Sequence, residues 1–519
     1  MTTALAAIGP GGMLGGVACL LAAALILDGL TEWGFDALFA GVVRELYVNG
    51  ETKDSIKHKI SKYPITKKLK RRLMFWSAWD LTQFELRTIG LIHQISETSW
   101  LFSKEPSRNF KRKRKLPFEK MIVTLLCMEG GSLATELMKQ FGCRTDLATA
   151  SAFVQQRGKI LPEAFETLFA LFTNTLVDSP EYNGYRLLAA DGSDIQIPTN
   201  PDDPDSYFSA SNGGSPYNLL HLDAMYDLLQ QTYVDASVVG DHKSNECGSL
   251  CSMVDRSSLQ NVLLIADRGY ENYNLMAHIQ EKGWKYLIRV KDINSSSGIA
   301  SGLDLPDQDE FNMLVPLSLT TKQTNEVKTL LKNRNQYKLV PSNKTFDYLP
   351  KGNRKHLPAK FYKLPFRLVR FKITDSTYET VVTNLDANTF PPAELKKLYA
   401  MRWGIETSFR ELKYTIGLLH FHAKKVEYIL QEIFARLIMY NFSELVTSSV
   451  VIQNANRKYA YKANFSVAVH ICRQFFLGNV SPPDVETLIA RFISPIRPGR
   501  SRPRNVAAKK AVSFIYRIA

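Results

Sequence analysis

The stretch NVLLIADRGYENYNLMAHIQEKGWKYLIRVKD, residues 261–292, sets the fold class. NVLLIA reads as a buried strand that stops at Asp267. YNLMAHIQEKG has helical periodicity, and WKYLIRVKD reads as a second strand. Upstream, YRLLAADGSDIQIP (185–198) reads as a strand ending in a turn at DGSD. HLDAMYDLLQQTYVDASVV (221–239) reads as two strands joined by a short polar turn around Gln230, and residues 245–258 as a helix. The order is three hairpin-linked strands, helix, strand, helix, strand. It predicts an α/β fold, a mixed sheet flanked by helices.

Further out the composition changes. Residues 293–384 open with the loop-like NSSSGIASG and later offer FRLVRFKI and YETVVTNL, so a β-rich insertion is expected there. On the other side, 117–176 has helical periodicity throughout, with Pro162 opening a last helix, and suits a small module that could lie on DNA. EYILQEIFARLIMYNFSELVTSSVVI reads as a long buried helix. The expected division is 1–115 of unclear role, 116–180 helical and DNA-binding, 181–292 the first part of a catalytic domain, 293–384 the insertion, 385–450 its second part, and 451–519 a basic C-terminal region.

Charge points to a polyanion. The formal net charge is +15 over 519 residues, and the excess is clustered. Lys67, Lys68, Lys70, Arg71 and Arg72 form one run. Arg108 with Lys111, Arg112, Lys113, Arg114 and Lys115 forms a second. Arg491, Arg497, Arg500, Arg502, Arg504, Lys509, Lys510 and Arg517 form a stretch without acids. Three such clusters favour nucleic acid over a solvated tail. Six cysteines with no CxxC pair make neither a disulfide framework nor a zinc set, and fit a reducing cytoplasm. The apolar run 11–27 has no charge ahead of it, unlike a signal peptide, and is short for a membrane span. A buried or mistranslated leader is expected, and no membrane partner.

The acidic residues carry the chemistry. Asp191 directly follows the apolar RLLAA, and Asp267 directly follows VLLIA. Carboxylates at the exits of buried strands are costly unless something offsets them. If the two strands are neighbours, the two side chains converge and repel. A divalent cation removes that repulsion, and all-oxygen ligands suit Mg²⁺ or Mn²⁺. A third carboxylate comes from LYAMRWGIETSFRELKYTIG, residues 398–417, which reads as one helix. At about 100° per residue, Tyr399, Arg402, Glu406 and Lys413 fall within an arc of roughly 60°, with Arg410 close to the same line. A lone Glu among cations and a phenol suits a metal ligand beside groups that grip phosphates. A solvated face with Arg402–Glu406 and Glu406–Arg410 pairs is the plain alternative. Three carboxylates around two ions suffice for in-line displacement at phosphorus.

Tyr399-x2-Arg402-x3-Glu406-x6-Lys413 resembles the Tyr-Arg-Glu-Lys signature of DDE transposases of the insertion-sequence-four family. DGSD at 191–194 and DRGY at 267–270 resemble that family's blocks around its first and second catalytic aspartates, and a β-rich insertion before the Glu is a family trait. The resemblance covers roughly residues 105–519. It implies a ribonuclease-H-like fold and cut-and-paste transposition: metal-dependent cleavage at the element ends, then attack of the freed 3′-hydroxyl on target DNA. It implies Asp191, Asp267 and Glu406 as catalytic and metal-holding, with Tyr399, Arg402 and Lys413 on phosphates. Arg410 and Arg268 join them from helix geometry and closeness to Asp267. Double-stranded DNA, namely terminal repeats and target, is the expected partner, with a homodimer on paired ends at a bacterial nucleoid.

Two choices within the site remain. Asp194 competes with Asp191 but belongs to the turn. Glu411 competes with Glu406 but points about 140° away on a helix. Two rivals also remain: a structure-selective nuclease of the same fold, and a domesticated DNA-binding protein without catalysis.

Overall fold

The computed structural model describes residues 81–112, 114–176, 179–210, 215–350, 359–450, 452 and 460–496. The apolar run 11–27, the basic run 67–72, Lys113 and the basic tail from Arg497 lie outside them. The chain divides into two units. One runs from Glu181 to Phe409; the other joins residues up to Pro180 with those from Arg410.

The 181–409 unit is built on one ten-stranded sheet. Its strands are β1 Arg186–Ile197, β2 Tyr207–Phe208, β3 Tyr217–Asp227, β4 Thr232–Gly240, β5 Val262–Ala266, β6 Lys285–Val290, β7 Phe311–Thr320, β8 Tyr337–Leu339, β9 Tyr362–Thr374 and β10 Thr377–Thr383. β1, β3 and β4 are consecutive antiparallel neighbours, while β5 runs parallel to β1 and β6 parallel to β5. The order β4-β3-β1-β5-β6, with β3 reversed, is the ribonuclease-H-like arrangement. The reversal at the β3–β4 hairpin uses Gln231 at φ 61, a conformation that a polar turn residue adopts at modest cost.

Alternation along the strands makes two buried faces. Leu188, Ala190, Leu264, Ala266 and Ile288 form a core with helices Glu246–Arg256 and Tyr273–Glu281. Leu187, Ala189, Leu263, Ile265 and Leu287 are equally buried on the other face. A sheet covered on both sides needs near-continuous apolar strands, and VLLIA is one, buried at every position.

Two expectations are revised. DGSD is no turn: β1 stays extended to Ile197 because its register with β3 runs from Leu188↔Asp227 to Ile197↔Asn218. Gly, Ser and Asp are turn-prone locally, but a ten-pair ladder outweighs that preference. The 293–384 segment contributes four strands to this sheet. Its β10 pairs with β6, and β9, β7 and β8 extend the same sheet. And 398–417 is not one helix. Pro392–Met401 ends at Arg402, Trp403–Glu411 follows, and Leu412–Ile416 winds as a π-helix to Gly417 at φ 95. At the break, Arg402 N–H donates to the Tyr399 carbonyl and Ile405 N–H to that of Arg402, three residues apart instead of four.

Among the described residues the other unit is helical apart from a small two-stranded pair. It contains Leu81–Glu97, Phe118–Cys127, Leu133–Phe141, Ala150–Arg157 and Glu163–Asn174, then Val426–Ser449, Phe465–Phe476 and Pro482–Arg491. Residues 410–450 cluster with the N-terminal helices. The reason is the near-complete burial of Val426–Ser449. Its Glu432 meets Arg157 at 2.8 Å, Arg436 at 3.4 Å and His422 at 3.2 Å, all fully buried. Burial opposes the Glu432 charge, yet Arg157, the His422 hydrogen bond and Arg436 hold its carboxyl well below the usual range.

Candidate active site

The sheet places the two aspartates by register. The parallel β1–β5 pairing ends at Ala190↔Ala266. Asp191 and Asp267 are the next residue on each strand, so both stand at one level at the same end of the sheet. Asp267 then caps the short turn Arg268–Tyr270, its Oδ1 accepting from Gly269 N–H at 2.7 Å. Asp191 Oδ1 accepts from Gly192 N–H at 3.0 Å.

The helix Trp403–Glu411 brings the third carboxylate across the face of Leu187 and Ala189. Ser408 Oγ meets Tyr233 Oη at 2.8 Å, and the Phe409 and Tyr233 rings are 5.9 Å apart. Gly404 permits the approach: a Cβ there would come 2.9 Å from Leu228 Cδ2. Arg402 lies between the acids. Its Nη2 donates to Glu406 Oε1 at 2.6 Å, and its Nη1 is 3.7 Å from Asp191 Oδ2. Glu406 is 31% exposed while the Arg402 side chain is 6% exposed, so the pair is not the solvated one of the plain alternative. Burial pushes the Asp191 carboxyl up to about 6. Arg402 and the Gly192 N–H oppose that rise, and the charges of Asp267 and Glu406 add to it.

The phenol of Tyr399 is buried between two guanidiniums. Arg402 is 5.7 Å and Arg289 5.9 Å from its ring centre. Arg289, on β6, also pairs with Glu379 at 3.3 Å. Arg268 is exposed beside Asp267. Arg410 and Lys413 belong to the other unit. Arg410 is exposed and 3.7 Å from Glu411; Lys413 is half-buried on the π-helical turn. In that unit Lys111, Arg112, Arg114 and Lys115 are exposed, and Lys115 Nζ is 3.9 Å from Asp146.

The oxygens of Asp191, Asp267 and Glu406 do not all approach within 4.8 Å of one another. Among the described residues the ligand group that does is Asp194, His221 and Asp241. His221 Nδ1 is 2.7 Å from Asp194 and 3.9 Å from Asp241; its Nε2 is 3.2 Å from Asp223 and 3.5 Å from Glu246. The hydrogen bonds to Asp194 and Asp223 push the imidazole up to about 10 despite burial. An imidazolium donates at both nitrogens and offers no lone pair to an ion. Sequence reasoning did not single out His221, Glu246 or Arg289. A His and an Asp two apart in a strand, LLHLD, was the available signal for the first.

The profile described as the transposase DDE domain matches residues 182–442, half of the chain. The chain belongs to the DDE transposase family. Within it the chain is of the insertion-sequence-four type: it is 25% identical over 346 residues to the transposase InsG for insertion sequence element IS4 of Escherichia coli (strain K12), covering 64% of this chain and 70% of that one. Among solved structures, a piggyBac transposase synaptic complex with hairpin DNA aligns over 80% of this transposase and 87% of that chain, at 10% identity and a TM-score of 0.40. A pre-cleavage Mos1 transpososome aligns over 48% and 77%, at 11% identity and a TM-score of 0.15. The fold of this DDE transposase rests on its strand order. No helix among the described residues is long and apolar enough to cross a membrane.

Proposed function

We propose that this DDE transposase excises an insertion sequence by cutting at its ends and joins the freed 3′-hydroxyls to target DNA. Asp191, Asp267 and Glu406 are the catalytic carboxylates in this reading. The observation that carries it is the convergence of Asp191 and Asp267 at one register level, with Glu406 reaching Asp191 through Arg402.

The donor set fits a hard cation. All three donors are carboxylates, and the Asp191 anion is opposed by burial and by the neighbouring acids, a cost that Mg²⁺ or Mn²⁺ offsets. Two divalent ions held by these three residues would neutralise charge on the scissile phosphate and on the attacking and leaving oxygens. The chain's own groups do the rest. Arg402 holds Glu406 and Asp191 in mutual orientation and turns its charge to a phosphate. Tyr399, Lys413, Arg410 and Arg268 grip phosphates at the element end. Lys111 to Lys115 track the duplex backbone. Joining two ends calls for two protomers, which makes a homodimer the working assembly.

The test is Asp267→Asn. Single-turnover cleavage of a pre-bound end should fall by at least about a thousand-fold. Binding to the same DNA should change by less than about threefold, because phosphate contacts carry most of the affinity. Equal loss of both would make Asp267 structural. A strand-transfer assay separates this reading from a nuclease of the same fold, which would release cut DNA and never join it.

A further inference from the structure

Two glycines stand beside the two aspartates, Gly192 one residue after Asp191 and Gly269 two residues after Asp267. Both make room for the same side chain. A Cβ on Gly192 would lie 2.6 Å from His221 Nε2 and 3.2 Å from Glu246 Oε1. A Cβ on Gly269 would lie 3.0 Å from Asp267 Oδ1 and 3.2 Å from Glu246 Oε2. The Glu246 carboxylate is thus lodged between the DGSD and DRGY segments. One oxygen faces His221, and the other shares the Gly269 notch with Asp267.

We infer that Glu246 is a fourth carboxylate of the active site, a divalent-metal ligand beside Asp267 that His221 holds in place. The inference rests on the assignment of Asp191, Asp267 and Glu406 proposed above.

Glu246 is the first residue of its helix, and an acid there is ordinarily explained by the helix dipole. That explains its charge but not its direction. Its carboxylate lies among Asp194, Asp223 and Asp267, with His221 the cation that opposes their charge. Asp223 is wholly buried and its Oδ2 has no hydrogen-bond partner. Like charges gathered this closely cost stability, so packing does not account for the arrangement. His221 does account for its rigidity. It lies on β3, opposite Asp194 of β1 in the ladder, and its nitrogens engage Asp194 and Asp223 while Nε2 faces Glu246 at 3.5 Å. The Glu246 side chain is 41% exposed, open enough to meet a hydrated ion.

The experiment is Mn²⁺ binding to the full chain without DNA, followed by electron paramagnetic resonance, for wild type, Glu246→Gln and Asp267→Asn. Glu246→Gln should weaken Mn²⁺ binding by about ten- to a hundred-fold, with metal-free thermal unfolding unchanged or raised. Wild-type Mn²⁺ affinity in Glu246→Gln, alongside loss in Asp267→Asn, overturns the role of Glu246 and leaves the three-carboxylate site standing. Wild-type affinity in both overturns the site assignment and the inference together. Should Glu246→Gln not fold, Glu246→Asp replaces it. It keeps the charge but shortens the reach, and should weaken Mn²⁺ binding at least about tenfold; undiminished binding overturns the inference.

Discussion

Arg402 is the residue on which the site converges, since Asp191, Glu406 and Tyr399 all lie against its guanidinium. Removing it as Arg402→Ala takes away the main opposition to the raised Asp191 pKa. In the metal-free protein that carboxyl should then titrate higher still. The rate at neutral pH should fall by about ten- to a thousand-fold. Arg402→Lys should not restore it, because one ammonium cannot serve Glu406, Asp191 and a phosphate in a fork. A wild-type rate in Arg402→Ala, with the fold intact by thermal unfolding, would reduce the residue to a helix-face ion pair. Part of this was legible in sequence. The i,i+4 spacing announces the contact of Arg402 with Glu406, but nothing local announces Asp191, 211 positions earlier in the numbering. Arg289 was hidden for the same reason: IRVK reads as strand, and only the packing of β6 brings it to Tyr399.

Strands and helices were more readable than their ends. VLLIA, the β3–β4 hairpin and the helix of Val426–Ser449 follow from periodicity and burial. The misread ends are those fixed by distant partners. DGSD is held extended by β3, and the helix expected over 398–417 breaks at Arg402 without proline or glycine at that position. The β1–β3 ladder also carries the fold's clearest pH response. His221 is pushed up to about 10 from an ordinary value near 6.5, and the acids facing it are Asp194, Asp223, Asp241 and Glu246. A raised histidine binds its proton more tightly folded than unfolded. Its contribution to stability is therefore full below about 6.5 and is lost as pH rises through about 10. Thermal unfolding of wild type and His221→Gln should differ most at pH 6 and converge near pH 10. A gap that persists at pH 10 would mean that His221 acts by packing and not by charge.

At the scale of the whole molecule, the +15 charge is a statement about partners. The site unit supplies the chemistry. The exposed Lys111, Arg112, Arg114 and Lys115 on the helical unit, with Lys113 of the same run, supply affinity in the reading proposed above. Counterion release gives that division a measurable form. Each phosphate neutralised contributes about −0.9 to the slope of log affinity against log salt. Replacing Lys111, Arg112, Lys113, Arg114 and Lys115 with glutamine should weaken binding to element ends and to unrelated duplex alike. It should also flatten both slopes by about one unit for each phosphate no longer neutralised. The residues need not count equally. Lys115 already spends its charge near Asp146, 3.9 Å away and with the Asp146 carbonyl accepting from Nζ at 2.5 Å. Lys115→Gln alone should therefore change the slope least, and Arg112→Gln or Arg114→Gln more. The measurement is equilibrium binding by fluorescence anisotropy across a salt series, on one end-containing duplex and one scrambled duplex. A flattened slope on both with cleavage of pre-bound ends retained assigns the segment to duplex tracking. An unchanged slope in the fivefold variant would remove the segment from the DNA interface and leave the +15 charge to be explained by the other clusters.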